Sequence, residues 1–274
     1  TPFNAGGTDE LTSNFVKTYE ADYGETPNQF AADAYDGVYI VYEALKAAEA
    51  AERMSKLSNV KVTGMYTHFC VADTPDQDEF TAWQLENYKT VMNYLTEKGL
   101  RPETCHTSNS AGILYHPETQ IDMVREGVIL YGMYPDSMPQ YGPLKPVMTL
   151  KSHVSQVRDF PAGATVSYGR TFKGDKPFTT AVVLAGYADG YPRRLSNNTT
   201  VTINGVRYPQ AGRICMDMCM VLADKDKVKR GDEVTLIGGN SISWEDAAQK
   251  VGTINYELTC LVTNRVPRVY INED

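Results

Sequence analysis

Long apolar runs are missing from this sequence of 274 residues, and none approaches the length that a bilayer-spanning helix needs. Positive charge is in deficit, with 26 Lys and Arg against 34 Asp and Glu, for a net charge of −8. No basic stripe offsets that balance, so nonspecific nucleic-acid binding is not expected. The amino terminus, Thr1-Pro2-Phe3-Asn4-Ala5-Gly6-Gly7, has neither a basic n-region nor an apolar h-region, so no signal peptide is read there. It also has no initiator methionine, and the expectation is that an upstream portion has been lost. The five cysteines, Cys70, Cys105, Cys215, Cys219 and Cys260, are an odd number that builds no disulfide framework, which fits a cytoplasmic setting. Cys215 and Cys219 are near neighbours, but no histidine follows them at a zinc-like spacing. Two buried structural thiols are expected there, and no metal.

What is present describes a globular protein. Hydrophobic residues make up 42% and charged residues 22%, and the length suffices for one large domain or two ordinary ones. The first segment, to Ala50, reads as two helices. Leu11, Phe15, Tyr19 and Tyr23 share one face, with Gly24 as a stop. After Pro27 and an Asn28 cap, Tyr35, Val38, Tyr39, Tyr42 and Leu45 line a second helix.

Between Ala51 and Leu144 strands and helices alternate. Val60 to Phe69 is a strand candidate, and Asp78 to Lys98 a helix with Phe80, Trp83, Tyr88, Val91, Met92 and Leu95 on one face, closed by Gly99. Thr104 to Thr107 reads as a short strand, Ser110 as a helix start, and Met123 to Gly132 as an apolar strand carrying Arg125. Repeated βα units imply a parallel sheet, and His68, Asn109, Ser110 and Arg125 fall at strand carboxyl ends, where such sheets place their sites.

From Lys145 to Asp274 the pattern changes to short β-rich runs: Thr149–Phe160, Ala164–Phe172, Thr179–Gly186, Thr200–Ile203 and Glu233–Ile237. Asn204-Gly205 between Ile203 and Val206 signals a hairpin, and Ser243 caps a helix running to Val251. The predicted fold class is α/β plus β, a partial (β/α)8 barrel followed by an antiparallel β domain. The predicted division is 1–50, 51–144 and 145–274.

Three dense motifs lie in the last segment: Val166-Ser167-Tyr168-Gly169-Arg170-Thr171, Gly186-Tyr187-Ala188-Asp189-Gly190-Tyr191, and Gly212-Arg213-Ile214-Cys215-Met216-Asp217. With Thr67-His68-Phe69, Asn109-Ser110-Ala111, Met123-Val124-Arg125, Tyr131-Gly132 and Thr253-Ile254-Asn255-Tyr256-Glu257, they resemble bacterial alanine racemases over about four-fifths of the chain. The resemblance implies pyridoxal 5′-phosphate (PLP) as cofactor, a small amino acid as substrate (alanine, with serine not excluded), and a head-to-tail homodimer in the cytoplasm. Racemisation needs a base on each face of the α-carbon, in the family a lysine and a tyrosine. Tyr168 resembles that tyrosine, acting on the partner subunit's cofactor. Arg125 resembles the arginine facing the pyridine nitrogen, and His68 the histidine that orients it. Asn109 belongs with the cofactor residues. Ser110, with the backbone of Gly127 and Val128, resembles the phosphate cradle, and Tyr256 a phosphate-contacting hydroxyl. Tyr187 and Met216 correspond to substrate-pocket residues. The bland alternatives beside these are a tyrosine packed in the β domain for Tyr168 and a satisfied polar residue at a strand end for His68.

The cofactor-holding lysine of the family, in a lysine-alanine/asparagine-alanine-tyrosine-glycine motif, has no match, nor does its carboxylate-binding arginine. Lys17 and Lys46 lie on predicted helix surfaces. Residues Phe15 to Tyr39 resemble type I periplasmic solute-binding proteins instead, and the two resemblances meet near Ala47-Ala48-Glu49-Ala50. The expectation is a truncated racemase joined to a foreign helical fragment, impaired by itself or complemented by an amino-terminal fragment. The alternative is a noncatalytic chimeric or solute-binding fragment.

Overall fold

In the computed structural model, residues 10–23, 46–135 and 144–271 are described. Their packing divides the chain into two compact units, Thr1–Arg125 and Glu126–Asp274.

In the first unit, α1 (Glu10–Tyr23) forms where Leu11, Phe15, Tyr19 and Tyr23 predict it, with Phe15 buried and its ring 5.9 Å from that of Tyr19. The second expected helix and Gly24 fall largely outside the described residues, which resume within a helix, α2, at 46–55. Then come β1 (Gly64–Tyr66), α3 (Asp78–Glu97), β2 (Thr104–His106) and α4 (Ser110–Tyr115). β1 and β2 pair in parallel, Tyr66 opposite His106, and His106 bridges Met123 in parallel on its far side. This is the predicted βα alternation with its parallel pairing. A small core of Phe69, Ala72, Leu85 and Ala111 lies under it.

Three details differ from the sequence reading. The strand expected over Val60 to Phe69 shortens to β1, because flanking backbone groups bond elsewhere: Val60 N donates to Leu57 O, and Thr67 O accepts from Arg125. On α3 the buried residues are Thr81, Leu85, Tyr88 and Leu95, whereas Phe80 and Trp83 are exposed and stack on each other at 5.0 Å. Met123 to Gly132 is not a strand. Gly127 leaves extended geometry, Val128–Tyr131 coil into a 3-10 turn, and Gly132 closes it at φ 69°, where a β-carbon would collide with Lys145 O.

The second unit is built on a six-stranded antiparallel sheet of β3 (Leu150–Phe160), β6 (Phe178–Val183), β7 (Thr200–Ile203), β8 (Val206–Pro209), β9 (Cys219–Leu222) and β10 (Glu233–Ile237). The spatial order is β8-β7-β10-β3-β6-β9. β3 is long enough to serve two neighbours, its first half pairing with β10 and its second with β6 across a register shift near Val154. Gln210, just past β8, bridges Val221 in β9, so the two ends of the order approach and the sheet nearly closes on itself. Val183, Val201, Ile203, Cys219, Val221, Val234 and Leu236 are fully enclosed, each such apolar side chain contributing about 1.5–3 kcal/mol.

The Asn204-Gly205 hairpin forms as predicted, both residues at positive φ (50° and 78°), as a type I′ turn requires. α5 (Trp244–Val251) starts at Ser243, whose hydroxyl accepts from Asp246 N at 2.9 Å. α6 (Asn255–Leu261) follows, and Arg194 donates to Val251 O at 2.8 Å, capping the end of α5. The stretch Ala164–Phe172, expected as one strand, is two short ones, β4 (Thr165–Val166) and β5 (Phe172–Lys173), paired around a turn that holds Tyr168.

Candidate functional site

In the first unit the strand ends converge on Arg125. Its Nη1 lies 2.5 Å from His106 Nδ1, and its Nη2 lies 3.3 Å from His68 Nδ1. Nη2 also donates to Thr67 O at 3.0 Å and Thr107 O at 2.9 Å, while the Arg125 backbone N bonds Ser108 O. A guanidinium can only donate, so both facing Nδ1 atoms are acceptors and each ring carries its proton on Nε2 when neutral. Burial, and then the Arg125 charge, hold the His106 imidazole below the usual histidine value. Arg125 is itself lowered by burial. The Tyr66 ring completes the arrangement, stacked on His106 at 5.3 Å and lying under the guanidinium. Among the described residues neither Arg125 Nε nor the second Nη1 hydrogen has an acceptor, which leaves two donors for a ligand.

His106 is a residue that the sequence reading did not single out. It sits in a three-residue strand with no motif of its own. The sequence offered only its place near the end of a predicted strand; that it pairs with Tyr66, just ahead of His68, is a matter of register that the structure supplies.

Asn109 and Ser110 follow β2. The Asn109 side chain accepts from Gly112 N at 3.0 Å and donates to Phe69 O at 3.1 Å, so its polar atoms fasten α4 to the loop after β1. Ser110 opens α4 and is buried.

The second unit holds the other candidates. Gly127 and Val128 begin the 3-10 turn, with Val128 buried, and Tyr256 lies near the start of α6, half-buried against the main core. Tyr168 projects outward, 71% exposed. Around it Ser167 (φ 67°), Gly169 (φ 70°) and Arg170 (φ 51°) all have positive φ, a strained path for residues with a β-carbon. The path is held: Ser167 Oγ donates to Arg213 O at 2.5 Å, Arg170 Nε donates to Thr165 Oγ1 at 3.0 Å, and a β-carbon on Gly212 would collide with Ser167.

Tyr187 and Met216 come together through their backbones. Tyr187 N donates to Cys215 O and Ala188 N to Met216 O, both at 3.0 Å. Gly186 allows this approach, since a β-carbon there would fall 2.2 Å from Cys215 O. Both side chains remain exposed. Within the second unit the geometry thus joins Tyr187 to Met216 and ties the Tyr168 turn to Arg213, three residues before Met216 in the same motif.

Two family descriptions match the sequence, "Alanine racemase, N-terminal domain" over residues 42–135 and "Alanine racemase, C-terminal domain" over residues 147–270. The alanine racemase of Carboxydothermus hydrogenoformans is 44% identical over 229 residues, covering 81% of this chain and 62% of that protein. The alanine racemase of Clostridium novyi is 45% identical, covering 80% of this chain and 58% of that protein. The chain therefore spans about three-fifths of the length of these relatives. Among solved structures, alanine racemase of Clostridium difficile 630 in complex with cycloserine superposes with a TM-score of 0.78 at 39% identity, covering 84% of this chain and 62% of that one. Alanine racemase of Bacillus anthracis with bound L-Ala-P gives a TM-score of 0.69 at 34% identity, covering 77% and 55%. The chain belongs to the alanine racemase family, whose enzymes depend on pyridoxal 5′-phosphate.

Proposed function

We propose that this chain carries the larger part of a site for the interconversion of L- and D-alanine, D-alanine being a building block of the cell wall, and that the 274-residue polypeptide alone turns over poorly. The observation that carries the reading is the Arg125 cluster. Its guanidinium is locked by two histidines and two backbone carbonyls, with Nε and one Nη1 hydrogen left over. Such a group fits the unprotonated pyridine nitrogen of PLP, because it can donate to that nitrogen and cannot protonate it.

When bound, PLP supplies an electron sink that makes the α-proton of an amino acid removable. Arg125 would hold the pyridine nitrogen and limit that sink, with His106 and His68 orienting the guanidinium. Asn109 positions the start of α4, where Ser110 would meet the phosphate; the family resemblance gives the same role to the backbone of Gly127 and Val128 and to the hydroxyl of Tyr256. Tyr168, presented to solvent on its strained turn, moves the proton on one face of the substrate bound to a partner subunit. Tyr187 and Met216 line the substrate pocket. Alanine is the favoured substrate, and serine the nearest competitor.

The fit is incomplete on the other face. Lys17 lies on α1 and Lys46 on α2, both exposed, so neither has the buried setting that would make it a natural second base. We propose a three-part chain: a helical segment 1–50 of solute-binding-protein character, a half-barrel 51–144 and a β domain 145–274. It acts in the cytoplasm as a head-to-tail homodimer, or with an amino-terminal fragment that brings the lysine. Among the described residues no helix is long and apolar enough to cross a membrane, and neither membrane nor nucleic acid is proposed as a partner. The second reading, a noncatalytic chimera, is favoured by the absence of the lysine motif from the sequence.

The test is to incubate purified chain with PLP, reduce with borohydride and map any pyridoxyl-lysine by peptide mass spectrometry. The expected result is no single dominant site and negligible racemisation, both restored to racemase behaviour when a lysine-bearing amino-terminal fragment is added. Measurable turnover by the chain alone would overturn the impairment. A complemented chain that neither binds PLP nor racemises alanine would favour the noncatalytic reading.

A further inference from the structure

Arg265 lies beyond α6, in a stretch without regular structure. Its Nε forms an ion pair with Asp189 Oδ1 at 2.9 Å, and Nη2 of the same guanidinium donates to Asp217 Oδ1. Asp189 ends the turn that carries Tyr187, and its second oxygen accepts from Gly186 N at 3.0 Å. Asp217 directly follows Met216. One guanidinium therefore joins the two turns that the Tyr187–Cys215 and Ala188–Met216 backbone bonds already zip together. The segment bearing it is itself seated, since Gly190 passes so close to Leu261 O and Val262 N that a β-carbon would collide with both.

Magnitudes separate a stability device from a positioning one. Arg265 is 50% exposed and Asp217 51%, and such an exposed ion pair contributes only about 0–1 kcal/mol to folding, while Asp189, at 18%, is the shielded arm. Geometry is the better explanation. The planar guanidinium faces two carboxylates from two of its nitrogens at once, which a lysine ammonium on a single flexible stem does not reproduce. The carboxylates it spans neighbour two exposed side chains, Tyr187 and Met216, that no core packing holds in place.

We propose that Arg265 is a positioning residue, which fixes the separation of the Tyr187 and Met216 side chains by holding Asp189 and Asp217 together. Its consequence for substrate rests on the racemase reading of those two residues, whereas its geometry does not.

The test uses the full chain, as wild type and as Arg265→Met, Arg265→Lys and Asp217→Asn, followed by amide hydrogen exchange and by NMR of 13C-methyl methionine with Met216 assigned through Met216→Leu. Arg265→Met is expected to speed exchange at Tyr187 and Ala188 by about tenfold or more and to shift the Met216 methyl, with β6 and β9 amides changing by less than about twofold. Arg265→Lys recovers only part of that protection. Asp217→Asn shifts the Met216 methyl while leaving Gly186 protected by Asp189. Unchanged exchange at Tyr187 and Ala188 would overturn the proposal, as would acceleration spread evenly through β6 and β9. L-alanine is then titrated in the presence of PLP and the lysine-bearing amino-terminal fragment, with the Met216 methyl as readout. Wild type responds, and Arg265→Met requires about fivefold more alanine or worse. Equal affinity in the two would also overturn the positioning role. No methyl response in wild type would sink the substrate reading instead, leaving the exchange result to decide the fate of Arg265.

Discussion

His106 Nδ1 and Arg125 Nη1 lie 2.5 Å apart, with the imidazole accepting and the guanidinium donating. A histidine in this position has to stay neutral, and burial followed by the Arg125 charge keeps its protonation below the usual range. The unfolded chain then binds more protons than the folded one as pH falls below about 6.5, so stability is present above that value and lost on acidification toward the folded pKa. We expect the first unit to become less stable between about pH 7 and pH 5. The check is thermal melting of wild type against His106→Gln across that window. Curves with the same pH slope would remove His106 from the account.

Ser167 offers a second test, because its hydroxyl and its backbone act in opposite directions. At φ 67° and ψ 175° it occupies a region nearly reserved for glycine, at about 1–3 kcal/mol of strain. Its hydrogen bond to Arg213 O returns about 0.5–1.5 kcal/mol. Ser167→Ala keeps the strain and loses the bond, whereas Ser167→Gly loses the bond and relieves the strain. The glycine variant is therefore expected to be the more stable of the two by about 1–2 kcal/mol in urea titrations. An alanine variant as stable as the glycine one would mean that the turn relaxes.

The contrast between these two positions shows what the sequence could convey. Local chemistry was legible: Asn204-Gly205 announces its hairpin, Ser243 its helix, and β7 and β10 start and stop where their β-rich runs do. The Ser167–Arg170 turn was not, because Val166 to Phe172 has the composition of a strand and only contacts with Gly212 and Arg213 bend it. His106 was missed for a related reason. Its partner Arg125 is distant in sequence, and periodicity carries no information about which strand ends meet. Arg265 follows the last helix in a stretch without regular structure, and its two aspartates belong to motifs read for other residues. Motif spacing picks out the candidate residues one at a time, and the side chains packed against them come from register and long-range contact.

Thiol reactivity tests the burial of the cysteines. Cys219 lies in the core, where burial, with Cys215 nearby, pushes its thiol up to about 12, while Cys105 is buried beside β1. Cys70 and Cys260 are exposed. In native protein at neutral pH a disulfide reagent should label Cys70 and Cys260 first, and Cys105 and Cys219 only after denaturant is added. Prompt labelling of Cys219 in the native state would contradict the nearly closed β sheet around it.

Gly186 and Gly99 make a matched pair for separating collision from backbone strain. At Gly99 φ is 68° and nothing lies within 4 Å of an added β-carbon, so Gly99→Ala carries only the cost of a left-handed residue, about 1–2 kcal/mol. At Gly186 φ is an ordinary −145°, but the β-carbon would meet Cys215 O at 2.2 Å and Met216 O at 2.3 Å, both backbone atoms that cannot rotate away. Gly186→Ala must push the two turns apart and break the Tyr187 and Ala188 hydrogen bonds, at about 3 kcal/mol or more. The measurement is the melting temperature with hydrogen exchange at Tyr187 and Ala188. Gly186→Ala should melt lower than Gly99→Ala and lose protection at both amides, whereas Gly99→Ala keeps it. If the two variants melted alike with protection intact, the close approach of the Tyr187 and Met216 turns would be wrong, and with it the geometry from which the role of Arg265 is argued.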